Sequence, residues 1–261
     1  SRILSCHVSE KRVSIWTGQG RQQITFSMGP LQEELLSYPM GESDLVFRKG
    51  KWYLNISSGI PDVAVNEASD VLGVDIGIRN IAATSEGELF SGDDTIRVAG
   101  WYQTRRKRLQ QVGTRSAKRR LRKLAKRERN HKKDVNHRIS KKLVTDAERS
   151  GRRVAMENLR GIGGRIRVRK KQRAMFSKWS FDELKQFVQY KAGARGVRVI
   201  LVDPHYTSQC CSQCLYVARE NRKSQSEFEC CQCHYTAHAD INAALVIPNY
   251  WVNVNRPMAA R

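Results

Sequence analysis

The sequence predicts an α/β domain that carries a basic helical hairpin and a zinc ribbon, preceded by a small antiparallel, β-barrel-like segment. Three observations predict this. Strand-like and helix-like patterns alternate beyond about residue 70. Fifteen basic residues and one acid, Glu128, fall between Arg105 and Lys133. Two Cys-x2-Cys pairs, Cys211/Cys214 and Cys230/Cys233, are separated by fifteen residues.

The elements follow in order. Up to about residue 68, Val13–Trp16 and Gln23–Phe26 alternate as short strands, and Leu45–Phe47 and Trp52–Ile56 flank the turn-like Arg48-Lys49-Gly50-Lys51. Residues 1–68 are therefore expected to form a small antiparallel sheet or barrel, and residues 69–261 a second domain. Val71–Ile78 is an apolar strand holding one acid, Asp75, and Gly77 suits a strand end where backbone or ligand comes close. Ile81–Thr84 and Leu89-Phe90, joined through Glu86-Gly87-Glu88, read as strand, turn and strand.

The basic hairpin is placed at 103–150. Gly113-Thr114 splits it into two helices, and Ala117, Leu121, Leu124, Val135, Ile139 and Leu143 form a thin apolar seam with a polar gap at 128–131. Like charges one turn apart repel, so such a helix calls for an anion. Arg153–Leu159 reads as a strand carrying a second isolated acid, Glu157. A basic loop leads to a helix over about 180–194, then to the buried-looking strand Val197–Val202, stopped by Asp203-Pro204.

Charge narrows the partners. Among 261 residues, 47 Lys and Arg stand against 25 Asp and Glu, a formal net charge of +22. That balance points to a polyanion, with nucleic acid the commonest one; the bland alternative is a solvated basic surface. Arg105, Arg106, Arg108, Lys118, Arg119, Arg120 and Arg122 on the hairpin, with Arg167, Arg169 and Lys170 in the loop, are the candidate nucleic-acid contacts. Trp101-Tyr102 and Trp179, near the basic runs, serve either base stacking or packing. His131 and His137 are expected to face solvent or phosphate rather than metal. No run is long and apolar enough to span a membrane.

Six of the seven cysteines lie between Cys210 and Cys233. This favours a metal site in a reducing, cytosolic compartment over disulfides. Pairing Cys211/Cys214 with Cys230/Cys233 keeps both x2 turns, whereas Cys210 or Cys231 would break one. Four thiolates leave no open position, so the zinc is structural rather than catalytic.

Asp75, Glu157 and Asp240 sit where strands or a helix start would hold them rigidly, at separations of 82 and 83 residues. Only a fold could assemble them. Clustered carboxylates attract Mg2+ or Mn2+, and two such ions activate water and stabilise the leaving oxygen in phosphodiester hydrolysis. Taken singly, each acid reads as a strand-edge or cap residue; together, in so basic a chain, they indicate a metal-dependent nuclease. Asn242, two residues past Asp240, reads as a helix-surface amide.

In order and spacing, residues 70–247 resemble the TnpB (OrfB) proteins of insertion sequences, relatives of type V CRISPR effectors. The resemblance rests on Gly73-Val74-Asp75-Ile76-Gly77 and Met156-Glu157-Asn158-Leu159 as the first two RuvC motifs. The third is Ala239-Asp240-x-Asn242-Ala243-Ala244. Thr207-Ser208-Gln209-x-Cys211-Ser212-x-Cys214 with Cys230-x2-Cys233 matches the zinc ribbon, placed at 207–236, and Gly113–Leu121 the basic hairpin. The resemblance implies an RNase H-like RuvC core that cuts DNA with Asp75, Glu157 and Asp240 as ligands to two Mg2+ or Mn2+ ions. It implies a guide RNA from the transposon end as partner, a prokaryotic, nucleoid-associated cytoplasmic setting, and an N-terminal barrel of wedge type. Leu215 and His234 depart from the family, which usually has glycine after each Cys pair, and His234 could compete as a ligand. The chain starts at Ser1 in mid-pattern, so an N-terminal piece is expected to be missing.

The competing reading is a module that binds RNA and DNA without cutting, such as a truncated remnant. A plain zinc-ribbon protein of transcription or translation explains neither the three acids nor the α/β alternation.

Overall fold

The computed structural model describes residues 3–61, 63–65, 70–159 and 181–252, with the side chains of 250–252 left aside. Two compact units divide the chain, Ser1–Asp62 and Val63–Arg261.

In the first unit, β1 (Leu4–His7), β2 (Arg12–Thr17) and β3 (Gly20–Thr25) form an antiparallel meander. A short helix, α1 (Pro30–Leu35), opens with Pro at its first turn, where the missing N–H costs nothing. Next comes the hairpin β4 (Met40–Arg48) and β5 (Lys51–Ser58), with Leu45 opposite Leu54 and Phe47 opposite Trp52. Its two turn residues, Lys49 and Gly50, both take positive φ, which matches the twist of the flanking strands. The expected barrel is not closed among the described residues: the two sheets remain separate. Only Val13, Ser14 and Ile15 are buried there, too small an apolar set to wrap a barrel around.

The second unit is built on a five-stranded sheet of order β10-β9-β6-β7-β8. Its strands are β6 (Val71–Asp75), β7 (Asn80–Thr84), β8 (Leu89–Ser91), β9 (Arg153–Glu157) and β10 (Val199–Val202). β9 runs parallel to both β6 and β10, while β7 and β8 are antiparallel additions at the other edge. Parallel neighbours need long crossovers. Between β6 and β9 the connection includes α2 (Asp93–Val112) and α3 (Arg115–Arg149). Gly113 closes α2 in the left-handed conformation, and the Thr114 hydroxyl accepts from the Ala117 N–H to start α3. The hairpin thus opens at Asp93, well before 103.

Side chains alternate across β6. Leu72 and Val74 join Met156, Val135, Ile139, Leu143 and Leu184 in the main core, beneath α3 and α4 (Phe181–Gly193). The opposite face is covered by α5 (Ala239–Val252), whose Ile247 packs with Ala155, Ile200 and Val202. Gly73 faces α5, where a Cβ would lie 2.0 Å from the Ala244 carbonyl oxygen and 2.7 Å from Pro248 Cδ. Pro248 has no N–H to donate to that carbonyl. The last element is a small ribbon, β11 (Glu227–Glu229) paired with β12 (Thr236–His238). None of the described helices is long and apolar enough to cross a membrane.

Candidate active site and zinc ribbon

Because β6 and β9 are parallel with Val74 opposite Met156, the next residue of each leaves the sheet at the same edge. Those residues are Asp75 and Glu157. β10 continues the row, with Val202 opposite Glu157 and Asp203 one step beyond. Asp240 comes to the same edge from the first turn of α5, which packs against β6 and β7. The three acids that only a fold could assemble lie close enough for the charges of Glu157 and Asp240 to act on Asp75, although their oxygens do not all fall within 4.8 Å of one another.

Their surroundings carry part of the charge. Arg222 Nη2 donates to Asp240 Oδ1 at 3.0 Å, and Asn80 Nδ2 donates to Asp240 Oδ2 at 2.9 Å. The Thr207 hydroxyl donates to Glu157 Oε1. Glu157 and Asp240 are buried, at 7% and 4% exposure. Burial, then the charges of Glu157 and Asp240, push the Asp75 carboxyl well above the ordinary carboxylate range, against the pull of Arg222. Glu157 is pushed up to about 7, chiefly by burial, with the Thr207 hydrogen bond and Arg222 opposing. A cation that stabilised the charged forms would relieve this repulsion.

Asn80 and Arg222 carry no signal in the sequence that marks them for this site, and Thr207 is marked there only as part of the zinc-ribbon match. Nothing periodic marks a polar side chain that reaches an acid 160, 18 or 50 positions away. Asn242 also differs from expectation. It is fully buried, its Oδ1 accepting from Ser212 N at 3.0 Å and its Nδ2 donating to the Cys210 carbonyl at 2.8 Å.

The Sγ atoms of Cys211, Cys214, Cys230 and Cys233 all lie within 4.8 Å of one another, the one such group of potential ligands among the described residues. His234 is not part of it. Each pair forms the same knuckle. Leu215 N donates to Cys211 O at 2.9 Å and His234 N to Cys230 O at 3.0 Å, while Cys211 N and Cys230 N donate back to Tyr216 O and Tyr235 O. Closing these turns drives Leu215 and His234 to φ values of 60° and 58°, the region glycine adopts without penalty. Backbone N–H groups of Gln232 and Cys233 point at Cys230 Sγ, and Cys230 is drawn down to about 7 although its burial works the other way. Four soft thiols at these distances, one already tending to thiolate, fit a tetrahedral zinc. Cys210 lies outside the set, buried with Val217 and Val246, and its burial pushes it up to about 12.

On the hairpin, Lys118, Arg119, Arg120 and Arg122 are exposed at the start of α3. Arg105, Arg108, Leu109, Arg120, Lys123, Leu124 and Arg127 line a groove between α2 and α3. The Arg105 guanidinium lies over the Trp101 ring, 4.1 Å from its centroid, and Tyr102 is buried. Arg106 turns inward to Glu128, which is buried in the expected polar gap and also meets Lys132 at 3.4 Å. His137 stacks on Phe187 at 4.0 Å. Arg167, Arg169, Lys170 and Trp179 lie outside the described residues.

Comparison with known proteins finds two matching family models. Residues 56–159 match a probable-transposase model, OrfB_IS605, and residues 181–247 match the Cas12f1-like TNB domain. Among curated proteins, the chain is similar to the CRISPR-associated endodeoxyribonuclease Cas12f1 of Sulfoacidibacillus thermotolerans, 30% identical over 246 residues, covering 84% of this chain and 56% of that protein. It is 28% identical over 218 residues to the "Putative RNA-guided DNA endonuclease InsQ" of Escherichia coli (strain K12), covering 75% and 52%. A TnpB-like protein of Methanocaldococcus jannaschii is 30% identical over 118 residues, covering 45% and 42%. The chain spans about half the length of the curated relatives it matches. The fold is similar to that of a Cas12f1–sgRNA–target DNA complex, with a TM-score of 0.55, 22% identity and coverage of 78% and 55%.

Proposed function

Because the chain belongs to the TnpB (OrfB) family, related to type V CRISPR effectors, we propose that it is the nuclease portion of a transposon-associated, RNA-guided DNA endonuclease. The observation that carries this is the meeting of Asp75, Glu157 and Asp240 at one sheet edge. In this reading residues 1–68 are part of a wedge-type β segment, and residues 69–261 are an RNase H-like RuvC domain. The basic hairpin and the zinc ribbon are inserts within that domain. Cys211, Cys214, Cys230 and Cys233 hold the structural zinc.

Asp75, Glu157 and Asp240 are the ligands for two Mg2+ or Mn2+ ions, which supply water activation and stabilisation of the leaving oxygen when bound. For this the three carboxyls must be ionised, so Asp75 and Glu157 give up protons that burial has favoured. Asp240 would join them as a ligand, its two oxygens being oriented by Arg222 and Asn80. The exposed arginines and lysines of α2 and α3 hold the phosphate backbones of guide RNA and DNA through sequence-independent charge.

The test is Asp75→Ala in protein purified with its RNA. DNA cleavage in Mg2+ should fall at least about a thousandfold with circular dichroism unchanged. Full cutting by this variant would sink the assignment. A second reading, an RNA- and DNA-binding module that does not cut, draws support from the Arg222–Asp240 ion pair, which neutralises one ligand. It predicts RNA in the purified wild-type protein and no cleavage in Mg2+ or Mn2+.

A further inference from the structure

The ribbon does more than sit beside the carboxylates. Thr207, 2% exposed, opens the ribbon segment and donates a hydrogen bond from its hydroxyl to Glu157 Oε1, with the Pro204 carbonyl 3.1 Å away. Asn242, two residues past Asp240 on α5, bonds at both ends of its amide to the first cysteine knuckle, through Ser212 N and Cys210 O. Inside the ribbon the fully buried Asn221 ties the two knuckles together. Its Nδ2 donates to Gln209 O and Tyr216 O at 2.9 and 3.1 Å, and its Oδ1 accepts from Cys231 N at 2.9 Å. The next residue, Arg222, reaches Asp240. Two of the three acids are therefore aimed by groups whose own positions depend on the folded ribbon.

We propose that Thr207 and Asn242 are positioning residues, through which the zinc ribbon sets the orientation of Glu157 and the placement of Asp240 and so the affinity of the acid site for divalent ions. This rests on the reading of Asp75, Glu157 and Asp240 as a divalent-ion site. A carboxylate with one oxygen pinned presents the other in a fixed direction; released, it samples rotamers that cannot ligate. Losing such an outer hydrogen bond costs roughly ten- to a hundredfold in metal affinity. The Asn242 amide fixes the start of α5 against the ribbon and therefore acts on Asp240 through the backbone.

The experiment is a Mn2+ titration of the zinc-loaded full chain without nucleic acid, following free Mn2+ by electron paramagnetic resonance, with zinc content measured in each variant. Asp75→Ala should abolish tight Mn2+ binding. Thr207→Val should weaken it about tenfold while keeping one zinc, and Thr207→Ser should restore it to within about twofold. If Thr207→Val fails to retain zinc, Thr207→Ala, which removes the hydroxyl without the buried methyl clash, replaces it. Asn242→Ala should weaken Mn2+ binding although it touches no acid. Wild-type Mn2+ affinity in the Thr207 or the Asn242 variant, with binding lost in Asp75→Ala, overturns the role of that residue. Wild-type affinity in Asp75→Ala overturns instead the site reading on which the proposal rests.

Discussion

Asp75 and Glu157 end adjacent parallel strands, one step beyond the Val74–Met156 pair, so their carboxyls emerge side by side from a buried sheet. Their protonation is consequently part of the fold's stability. The folded-state value of Glu157, about 7, lies above its ordinary 4.5, so the folded chain binds that proton more tightly than the unfolded one. Its stabilising contribution is complete below about 4.5 and is lost as pH rises through 7. Without divalent ions, the melting temperature should fall by several degrees between pH 5 and pH 8. Glu157→Gln should flatten that decline, and Mg2+ at pH 8 should offset it in the wild type. An identical pH slope in Glu157→Gln, followed by scanning fluorimetry, would show that the carboxyl is not buried as described.

The two knuckle positions that lack glycine should respond to its introduction. Leu215 and His234 each hold a left-handed conformation that costs a residue with a Cβ about 1 kcal/mol. Leu215→Gly and His234→Gly should each slow zinc extraction by a chelator and raise the melting temperature slightly. Faster zinc loss in both would mean that the two side chains stabilise these turns more than the positive φ strains them.

Neighbouring arginines on α2 should separate into two kinds. Arg106→Ala strands the buried Glu128 with Lys132 alone and should destabilise the protein by about 2 kcal/mol in urea unfolding. Arg105 is exposed over Trp101, and Arg105→Ala should change stability by less than about 1 kcal/mol. It should instead lower nucleic-acid affinity, with a salt dependence shallower by about one ion.

Gly73→Ala tests the packing of α5 on the sheet. The added methyl would meet the Ala244 carbonyl oxygen, a backbone atom that cannot swing aside, at 2.0 Å, with Pro248 behind it. We expect a loss of more than about 3 kcal/mol, seen as a large drop in melting temperature or as insoluble protein. A well-folded Gly73→Ala variant would mean that α5 stands further from β6.

How much of this could be read from the chain depended on range. Isolated acids in apolar strands and paired cysteines are local signals, and Asp75, Glu157, Asp240 and the four thiols carry them. The apolar seam of α3 is equally plain, but the polar gap at Glu128 conceals a half-buried ion pair with Arg106, 22 residues away. Arg222, Thr207 and Asn80 owe their importance to partners far off in sequence, which periodicity does not encode. The barrel expected at the N-terminus failed for a related reason: strand patterns give strands, while closure depends on a shared core, and only three of that segment's described residues are buried.

The 35-residue α3 is about 50 Å long. From Val135 onward it is buried in the main core; before that, only Ala117, Leu124 and Glu128 are buried. It is a rod clamped in the core at one end, with its charged half braced by α2. Four residues past its clamped end, through the tight turn at Gly151, begins β9, the strand that ends in Glu157. A load on the charged half is therefore borne next to the strand that carries Glu157, so the helix can act as a lever on the sheet edge.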